Sequence, residues 1–218
     1  MTQVFPPGAN WLARWSLMAL PLVGLLLAGV SSGIYLSPEG SRVDIARQQP
    51  IPFSHQRHVQ GNGIDCRYCH FSVETAFFAG IPPTETCMTC HSQVLTDQPM
   101  LEPVLESWRT GEPIAWARVH DLPDFVYFNH SVHVAQGVGC STCHGRVDQM
   151  RLTHKENTLR MGWCLRCHKA PEKFIRPREE VFNGAWEAPK DQIARGQALV
   201  EAYDIKVGQL LNCSICHR

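Results

Sequence analysis

The sequence predicts a mostly α-helical and irregular fold with few short helices, preceded by one N-terminal transmembrane helix. All ten cysteines fall in five copies of the pattern C-x-x-C-H. The chain also holds 15 prolines and 16 glycines, which favour loops over long regular elements. Residues 16–36 form an uncharged apolar run of 21 residues, which is long enough to cross a bilayer as a helix.

Each C-x-x-C-H motif is typical of covalent attachment of a c-type haem. The two thiols bond to one porphyrin, and the adjacent histidine becomes the proximal ligand of the iron. Zinc sites or disulfides would not explain a histidine after every second cysteine. We therefore expect a multihaem c-type cytochrome with five covalently bound c-type haems. The motif residues are Cys66, Cys69 and His70; Cys87, Cys90 and His91; Cys140, Cys143 and His144; Cys164, Cys167 and His168; and Cys213, Cys216 and His217.

The apolar run is expected to be an uncleaved, single-pass anchor in the plasma membrane. A signal peptide is the competing interpretation, but its apolar region would be unusually long. Trp11, Trp15 and Tyr35 lie near the two ends, as interfacial aromatic residues do. Because haem is attached to such motifs outside the plasma membrane, we expect residues 1–15 in the cytoplasm and the haem-binding part on the periplasmic or outer side.

An internal repeat organises the rest of the chain. The phrase F-x-H-x-x-H occurs at residues 53–58 and 128–133, and two C-x-x-C-H motifs follow each copy. Residues 190–203 have helical composition and periodicity, and short helices are expected to carry the motifs. The predicted segments are the anchor at 16–36, a two-haem module at 37–91, a connector at 92–127, a second two-haem module at 128–168, and a connector with the fifth haem site at 169–218.

Five irons with proximal histidines leave five distal positions, and six further histidines are available to fill them. Residues three apart on a helical turn share a face but point to slightly different places, so one histidine of each F-x-H-x-x-H can reach a neighbouring haem. The expected distal ligands are His55, His58, His120, His130 and His133. Weaker candidates are Met150, His154 and Met161, and the fifth haem must take its distal ligand from upstream.

Irons with both axial positions filled have no vacancy for a substrate, which favours electron transfer over catalysis. The chain contains no G-x-S-x-G, P-loop or H-E-x-x-H motif, so we expect no enzymatic activity of its own. The formal net charge is zero, so bulk charge does not indicate nucleic acid binding.

Longer phrases resemble the pentahaem subunit of alternative complex III. They are PFSHQRH at residues 52–58, GIPPTETCM at 80–88, RVHDLPDFVYFNHSVHV at 118–134, MGWC at 161–164 and NCSICH at 212–217. The resemblance implies a quinol-oxidising membrane complex in which this subunit relays electrons from an iron–sulfur subunit to a monohaem cytochrome subunit or a soluble acceptor. It also implies that quinol is bound by integral-membrane subunits. His154 is outside these phrases, which weakens it as a ligand, whereas Met150 gains somewhat.

Two rival functions remain open. A membrane-anchored multihaem quinol dehydrogenase would act on quinol directly, but the methionine that follows the first haem site in that type is replaced here by Phe71-Ser72-Val73. A free-standing electron-storage cytochrome would have no partner subunits. Purification in mild detergent would distinguish the storage cytochrome from a subunit of a complex.

Overall fold

The computed structural model describes residue 6 and residues 8–217, so part of the predicted cytoplasmic N-terminus lies outside the described residues. The chain divides into an N-terminal unit, Met1–Val43, and a second unit, Asp44–Arg218. The second unit carries all five C-x-x-C-H motifs. The boundaries predicted for the two modules and their connectors stay a prediction.

The N-terminal unit is built around one long apolar helix, α1, at Ala9–Leu36. It begins seven residues before the uncharged run, and its most apolar stretch has a mean hydropathy of 2.0. Its length and composition make it a candidate membrane span. The helix ends at Ser37, whose side chain accepts a hydrogen bond from the Gly40 backbone N–H at 3.1 Å and so caps the short helix α2, Pro38–Ser41.

The second unit is made of short helices joined by loops, and no strand occurs among residues 44–217. An isolated bridge links Val138 and Ile175. These features confirm the predicted fold class, including the helix expected near residues 190–203. The α-helices are α3 (Cys66–Cys69), α4 (Thr84–His91), α5 (Glu102–Thr110), α6 (His130–Ala135), α7 (Cys140–His144), α8 (Met161–Lys169) and α9 (Gln192–Ala202). A π-helix spans Gln56–Gly61, and 3₁₀ turns span Pro99–Leu101, Val147–Gln149, Pro171–Lys173, Arg178–Glu180, Val207–Gln209 and Cys213–Ile215.

The repeat in the sequence is also a repeat in the structure. After the first F-x-H-x-x-H the backbone N–H of Ile64 donates to the His58 carbonyl at 3.1 Å, and after the second Val138 donates to the His133 carbonyl at 2.9 Å. A glycine with positive φ precedes each donor, Gly63 at 67° and Gly137 at 75°. The left-handed backbone at these glycines ends each helical turn and directs the chain into the next motif.

The two copies of the repeat differ by one residue in the spacing between the second histidine and the next cysteine. The type of helix in each copy accommodates this difference. Seven residues separate His58 from Cys66, whereas six separate His133 from Cys140. The first copy forms a π-helix at Gln56–Gly61 and the second forms α6. A π-turn holds one more residue than an α-turn, so the insertion is absorbed without displacing the histidine pair.

The apolar core that the chain forms by itself is small. Eight hydrophobic side chains are buried among the described residues, and four of them form one cluster beside α4 and α5: Ile51, Met88, Leu101 and Val104. Bulky apolar side chains near the motifs, such as Phe77, are largely exposed to solvent in the polypeptide alone. A unit of this size ordinarily buries much more apolar surface, so the architecture fits one in which bound groups complete the core.

Helix α9 packs closely on the 3₁₀ turn Pro171–Lys173 through a glycine. A Cβ atom at Gly196 would overlap the carbonyl oxygen of Glu172. The side chain of Gln192 donates to the carbonyls of Glu172 and Ile175, each at 2.9 Å, and fixes the same contact. The close approach therefore depends on having no side chain at position 196.

We predict that Gly196→Ala lowers the stability of the haem-loaded protein, because the backbone of α9 must move away from Glu172. Overpacking of this kind costs about 1–3 kcal/mol. The measurement is the thermal unfolding midpoint by circular dichroism. Gln197→Ala is the matched control, since Gln197 is exposed on the same helix. Equal midpoints for the wild type and Gly196→Ala would contradict the packing described here.

Candidate functional site: histidine pairs around the C-x-x-C-H motifs

The five C-x-x-C-H motifs lie on short helical segments. Helices α3, α4, α7 and α8 carry the first four, and a 3₁₀ turn at Cys213–Ile215 carries the fifth. The ten cysteines form no disulfide bonds with one another. Burial raises the pKa of the Cys140 thiol to about 11 and that of Cys143 to about 12. Reactive dithiols need a lowered pKa, so the third motif is unsuited to thiol–disulfide exchange.

The histidine of each motif has its Nδ1 atom engaged, which leaves Nε2 available as a ligand. A metal-binding histidine usually donates its other ring N–H to a carbonyl or carboxylate, which fixes the tautomer and the ring orientation. His144 differs from the others, because its Nδ1 lies 3.2 Å from Nε2 of His120. In the other four motifs Nδ1 faces a backbone carbonyl: His70 with Gly80 at 2.7 Å, His91 with Val94 at 3.0 Å, His168 with Leu210 at 2.9 Å and His217 with Phe125 at 3.1 Å.

Three of these histidines face a second histidine at the spacing that one iron requires. A bond between a transition metal and an imidazole nitrogen is about 2 Å long, so two imidazoles that bind one ion from opposite sides have ring centroids roughly 6.3 Å apart. The observed distances between ring centroids match this expected separation: His58–His91 at 6.2 Å, His133–His168 at 6.3 Å and His130–His144 at 6.4 Å.

The phenylalanine of F-x-H-x-x-H orients both histidines of its phrase, a role the sequence analysis missed. Phe53 stacks on His58 at 4.4 Å and meets His55 edge-on at 4.9 Å. In the second phrase, Phe128 stacks on His133 at 4.5 Å and meets His130 edge-on at 4.7 Å. The interplanar angles are 27° and 89° in both copies. The sequence feature that could have indicated this role is the phenylalanine that recurs two residues before the first histidine of each phrase.

The first histidine of each phrase is held by the other half of the repeat. Nδ1 of His55 lies 3.0 Å from the Thr153 hydroxyl, which follows the third motif. Nδ1 of His130 lies 3.0 Å from the Phe77 carbonyl, which follows the first motif. These contacts join the two halves of the repeat through the histidines themselves.

Burial disfavours the charged form of several imidazoles around the motifs. Desolvation lowers the pKa of His144 to about 3 and that of His55 to about 4, and each also lies near other histidines. Desolvation is likewise the main cause that lowers the pKa of His130 and His133. Neutral imidazole is the form that binds a metal ion, so this environment is compatible with ligation at neutral pH.

The remaining candidates are placed less favourably. Nε2 of His154 lies 3.9 Å from the Glu156 carboxylate, in a partly exposed group with Asp44. Met150 is buried, and its carbonyl accepts from the Gln56 backbone N–H at 3.0 Å. Met161 is exposed at the start of α8. Beside His217 of the fifth motif lies the ring of Phe125, with the two ring centroids 5.8 Å apart.

A buried arginine beside the third motif is a further feature that the sequence did not reveal. Arg176 is 4% exposed, and its guanidinium donates to the Ser141 and Thr142 hydroxyls and the Asn183 carbonyl and stacks on Trp186. These partners are uncharged, and Nε is buried with no hydrogen-bond partner among the described residues. A buried cation is stabilised by an anion. Haem carries propionate groups, so this orphaned donor fits a haem-containing site.

Contacts between the motifs, some of them through intervening residues, place the five motifs in a spatial order that differs from their order in sequence. The first and second motifs meet where the Tyr68 and Thr89 hydroxyls lie 2.7 Å apart. Residues 181–182 contact both the first and third motifs. The Arg67 guanidinium of the first motif lies 4.6 Å from the centre of the Phe182 ring. The backbone N–H of Cys140, in the third motif, donates to the Val181 carbonyl.

The third, fourth and fifth motifs then follow in turn. The Asn157 side chain donates to the Cys143 carbonyl at 3.1 Å and accepts from the Trp163 indole at 3.0 Å, which links α7 to α8. His168 of the fourth motif contacts Leu210, three residues before the fifth. The spatial order is therefore second, first, third, fourth, fifth.

The fold and these motifs define a multihaem c-type cytochrome. Residues 126–218 match the family described as cytochrome c7 and related cytochrome c. The chain is 35% identical over 167 residues to the "Menaquinone reductase, multiheme cytochrome c subunit" of Nitratidesulfovibrio vulgaris (strain Hildenborough), covering 67% of this chain and 78% of that protein. The chain belongs to the multihaem cytochrome c family that contains this menaquinone reductase subunit, and it binds c-type haem covalently.

We predict that His58→Ala and His133→Ala each convert one low-spin haem to a five-coordinate, high-spin haem, because each removes one member of a pair with the spacing of axial ligands. Electron paramagnetic resonance of the oxidised protein measures the change. His154→Ala is the matched control and should leave the spectrum unchanged, since His154 faces Glu156. An unchanged low-spin signal in both His58→Ala and His133→Ala would show that other residues bind those irons.

Proposed function

We propose that the chain is a membrane-anchored pentahaem cytochrome that relays electrons within a quinol-oxidising complex of the alternative complex III type. The observation that carries the proposal is the set of histidine pairs at axial spacing, because it leaves those haems without an open position for a substrate. A haem bound at each motif supplies one-electron transfer between its ferric and ferrous states. The chain's own residues orient the haems and determine their order.

We propose the following ligands for the five haems. The histidines of the C-x-x-C-H motifs are the proximal ligands. His58, His130 and His133 are the distal ligands opposite His91, His144 and His168, and their spacing supports this assignment. His55, whose pKa is also lowered by nearby His70, is the distal candidate left for the first motif. For the fifth motif, Met161 is the proposed candidate, because it lies on α8 with Cys164, whose pKa is raised mainly by burial and further by the neighbouring Cys216 of the fifth motif.

The contacts between motifs support a single electron path with two ends. The second and fifth haems would lie at the ends, since each of those motifs contacts one other motif in the order given above. The first haem would lie inside the path although it comes first in the sequence. We propose that one end receives electrons from an iron–sulfur subunit and that the other passes them to a monohaem cytochrome subunit or a soluble acceptor.

The direction of flow in the complex is part of this proposal. The relative from Nitratidesulfovibrio is named as a subunit of a menaquinone reductase. The long phrases at residues 80–88 and 118–134 instead resemble the quinol-oxidising alternative complex III. A chain of haems conducts in either direction, so the same path serves both reactions and the partner subunits determine which occurs.

The anchor supports a role in a membrane complex but not in quinol chemistry. Residues 16–36 of α1 contain no Asp, Glu, His, Lys or Arg, so this stretch supplies no carboxylate, imidazole or amine to take a proton from quinol. We therefore propose that integral-membrane partner subunits bind quinol, and that this chain extends from the membrane into the periplasm. The rival assignment, a quinol dehydrogenase acting alone, would need an accessible iron near the membrane.

We predict that the full chain, loaded with haem and purified alone in mild detergent, is not reduced rapidly by a menaquinol analogue. Stopped-flow absorbance at the haem α-band measures the rate. Full reduction by dithionite is the control that all haems are competent. Rapid reduction that a quinol-site inhibitor abolishes would contradict the relay assignment and favour the dehydrogenase. Reduction by the analogue only when the native complex is used would support the relay.

A further inference from the structure

His120 makes a contact that an axial iron ligand would not make with its opposite ligand. Its ring centroid lies 4.3 Å from that of His144, with the planes at 77°, whereas the pairs at axial spacing are 6.2 Å or more apart. The closest atoms are Nε2 of His120 and Nδ1 of His144, at 3.2 Å. The contact is therefore on the side of His144 that does not bind iron.

The direction of this hydrogen bond follows from the chemistry of the motif. His144 must present the lone pair of Nε2 to an iron, so its proton resides on Nδ1. Nδ1–H then donates, and Nε2 of His120 accepts. His120 is partly buried, and Nε2 is the ring atom that faces Nδ1 of His144 at 3.2 Å, so its lone pair is placed to accept this proton. Its Nε2 lone pair, once used in this way, is not available for an iron.

The third motif differs from the other four in the chemical nature of this acceptor. The proximal histidines of the first, second, fourth and fifth motifs each donate to a backbone carbonyl. An imidazole nitrogen is a more basic acceptor than an amide carbonyl. A stronger acceptor at Nδ1 gives the proximal histidine more imidazolate character and makes it a better donor to the iron, which stabilises the oxidised state.

We propose that His120 is a positioning residue for the third haem: it accepts the Nδ1–H of His144, fixes the ring, and lowers the midpoint potential of that haem. This inference rests on the proposed function only in that a haem must occupy the third motif. It assigns His120 a different role from the distal ligation expected from the sequence. In the spatial order above, the third motif is the middle one, so His120 adjusts the midpoint potential of the haem at the centre of the path.

The experiment compares His120→Ala and His120→Gln with the wild type as the full, haem-loaded chain. Haem content by pyridine haemochrome, electron paramagnetic resonance and potentiometric titration are measured for each. We expect all haems to stay six-coordinate and low-spin in both variants. In His120→Ala one midpoint potential shifts upward, and in His120→Gln the shift is smaller, because the glutamine carbonyl restores an acceptor like those of the other four motifs.

His154→Ala is the matched control, since His154 lies nearby but does not contact a motif histidine, and its potentials should equal those of the wild type. A five-coordinate, high-spin haem in His120→Ala would overturn the proposal and show that His120 binds an iron. Unchanged potentials in His120→Ala would overturn it as well. If the alanine variant fails to load haem, His120→Gln decides, and loss of its third haem would contradict the proposal. A wild type lacking haem at the third motif would instead contradict the proposed function.

Discussion

The hydrogen bond at Nδ1 of each motif histidine is the interaction on which the rest of the site depends. It holds each ring in one tautomer and one orientation, so that Nε2 is left available as a ligand. Two of the acceptors come from distant segments: Leu210 for His168 and Phe125 for His217. The loops of this irregular fold are therefore ordered by the same contacts that prepare the ligands, and a small apolar core is sufficient.

The internal repeat explains how five motifs share one compact arrangement. Each phenylalanine stacks on the second histidine of its phrase and meets the first edge-on; the second histidine faces a motif of its own half and the first contacts the other half. The crossed contacts of His55 and His130 bring the first and third motifs together. The second motif is thereby displaced to one end, and the spatial order departs from the sequence order. A linear path of closely placed haems is the arrangement that electron transfer requires.

The sequence predicted what depends on local pattern. The fold class and the helix at residues 192–202 follow from periodicity and composition and are confirmed, and covalent haem attachment follows from the motif spacing. The ligand assignments and the count of five haems stay predictions. The buried Arg176 and the contact of His120 with His144 could not be predicted, because each depends on packing between segments far apart in sequence. For His120, the count of spare histidines suggested a ligand, whereas its tertiary neighbour indicates a second role.

The central claim is that five irons lie between side chains already positioned by the polypeptide. Anomalous diffraction at the iron absorption edge, on crystals of the haem-loaded chain or its complex, tests it most directly. The account predicts five iron peaks, including one between the rings of His58 and His91 and one between those of His133 and His168, in the order second, first, third, fourth, fifth. Fewer than five peaks, or no peak between either pair, would contradict it.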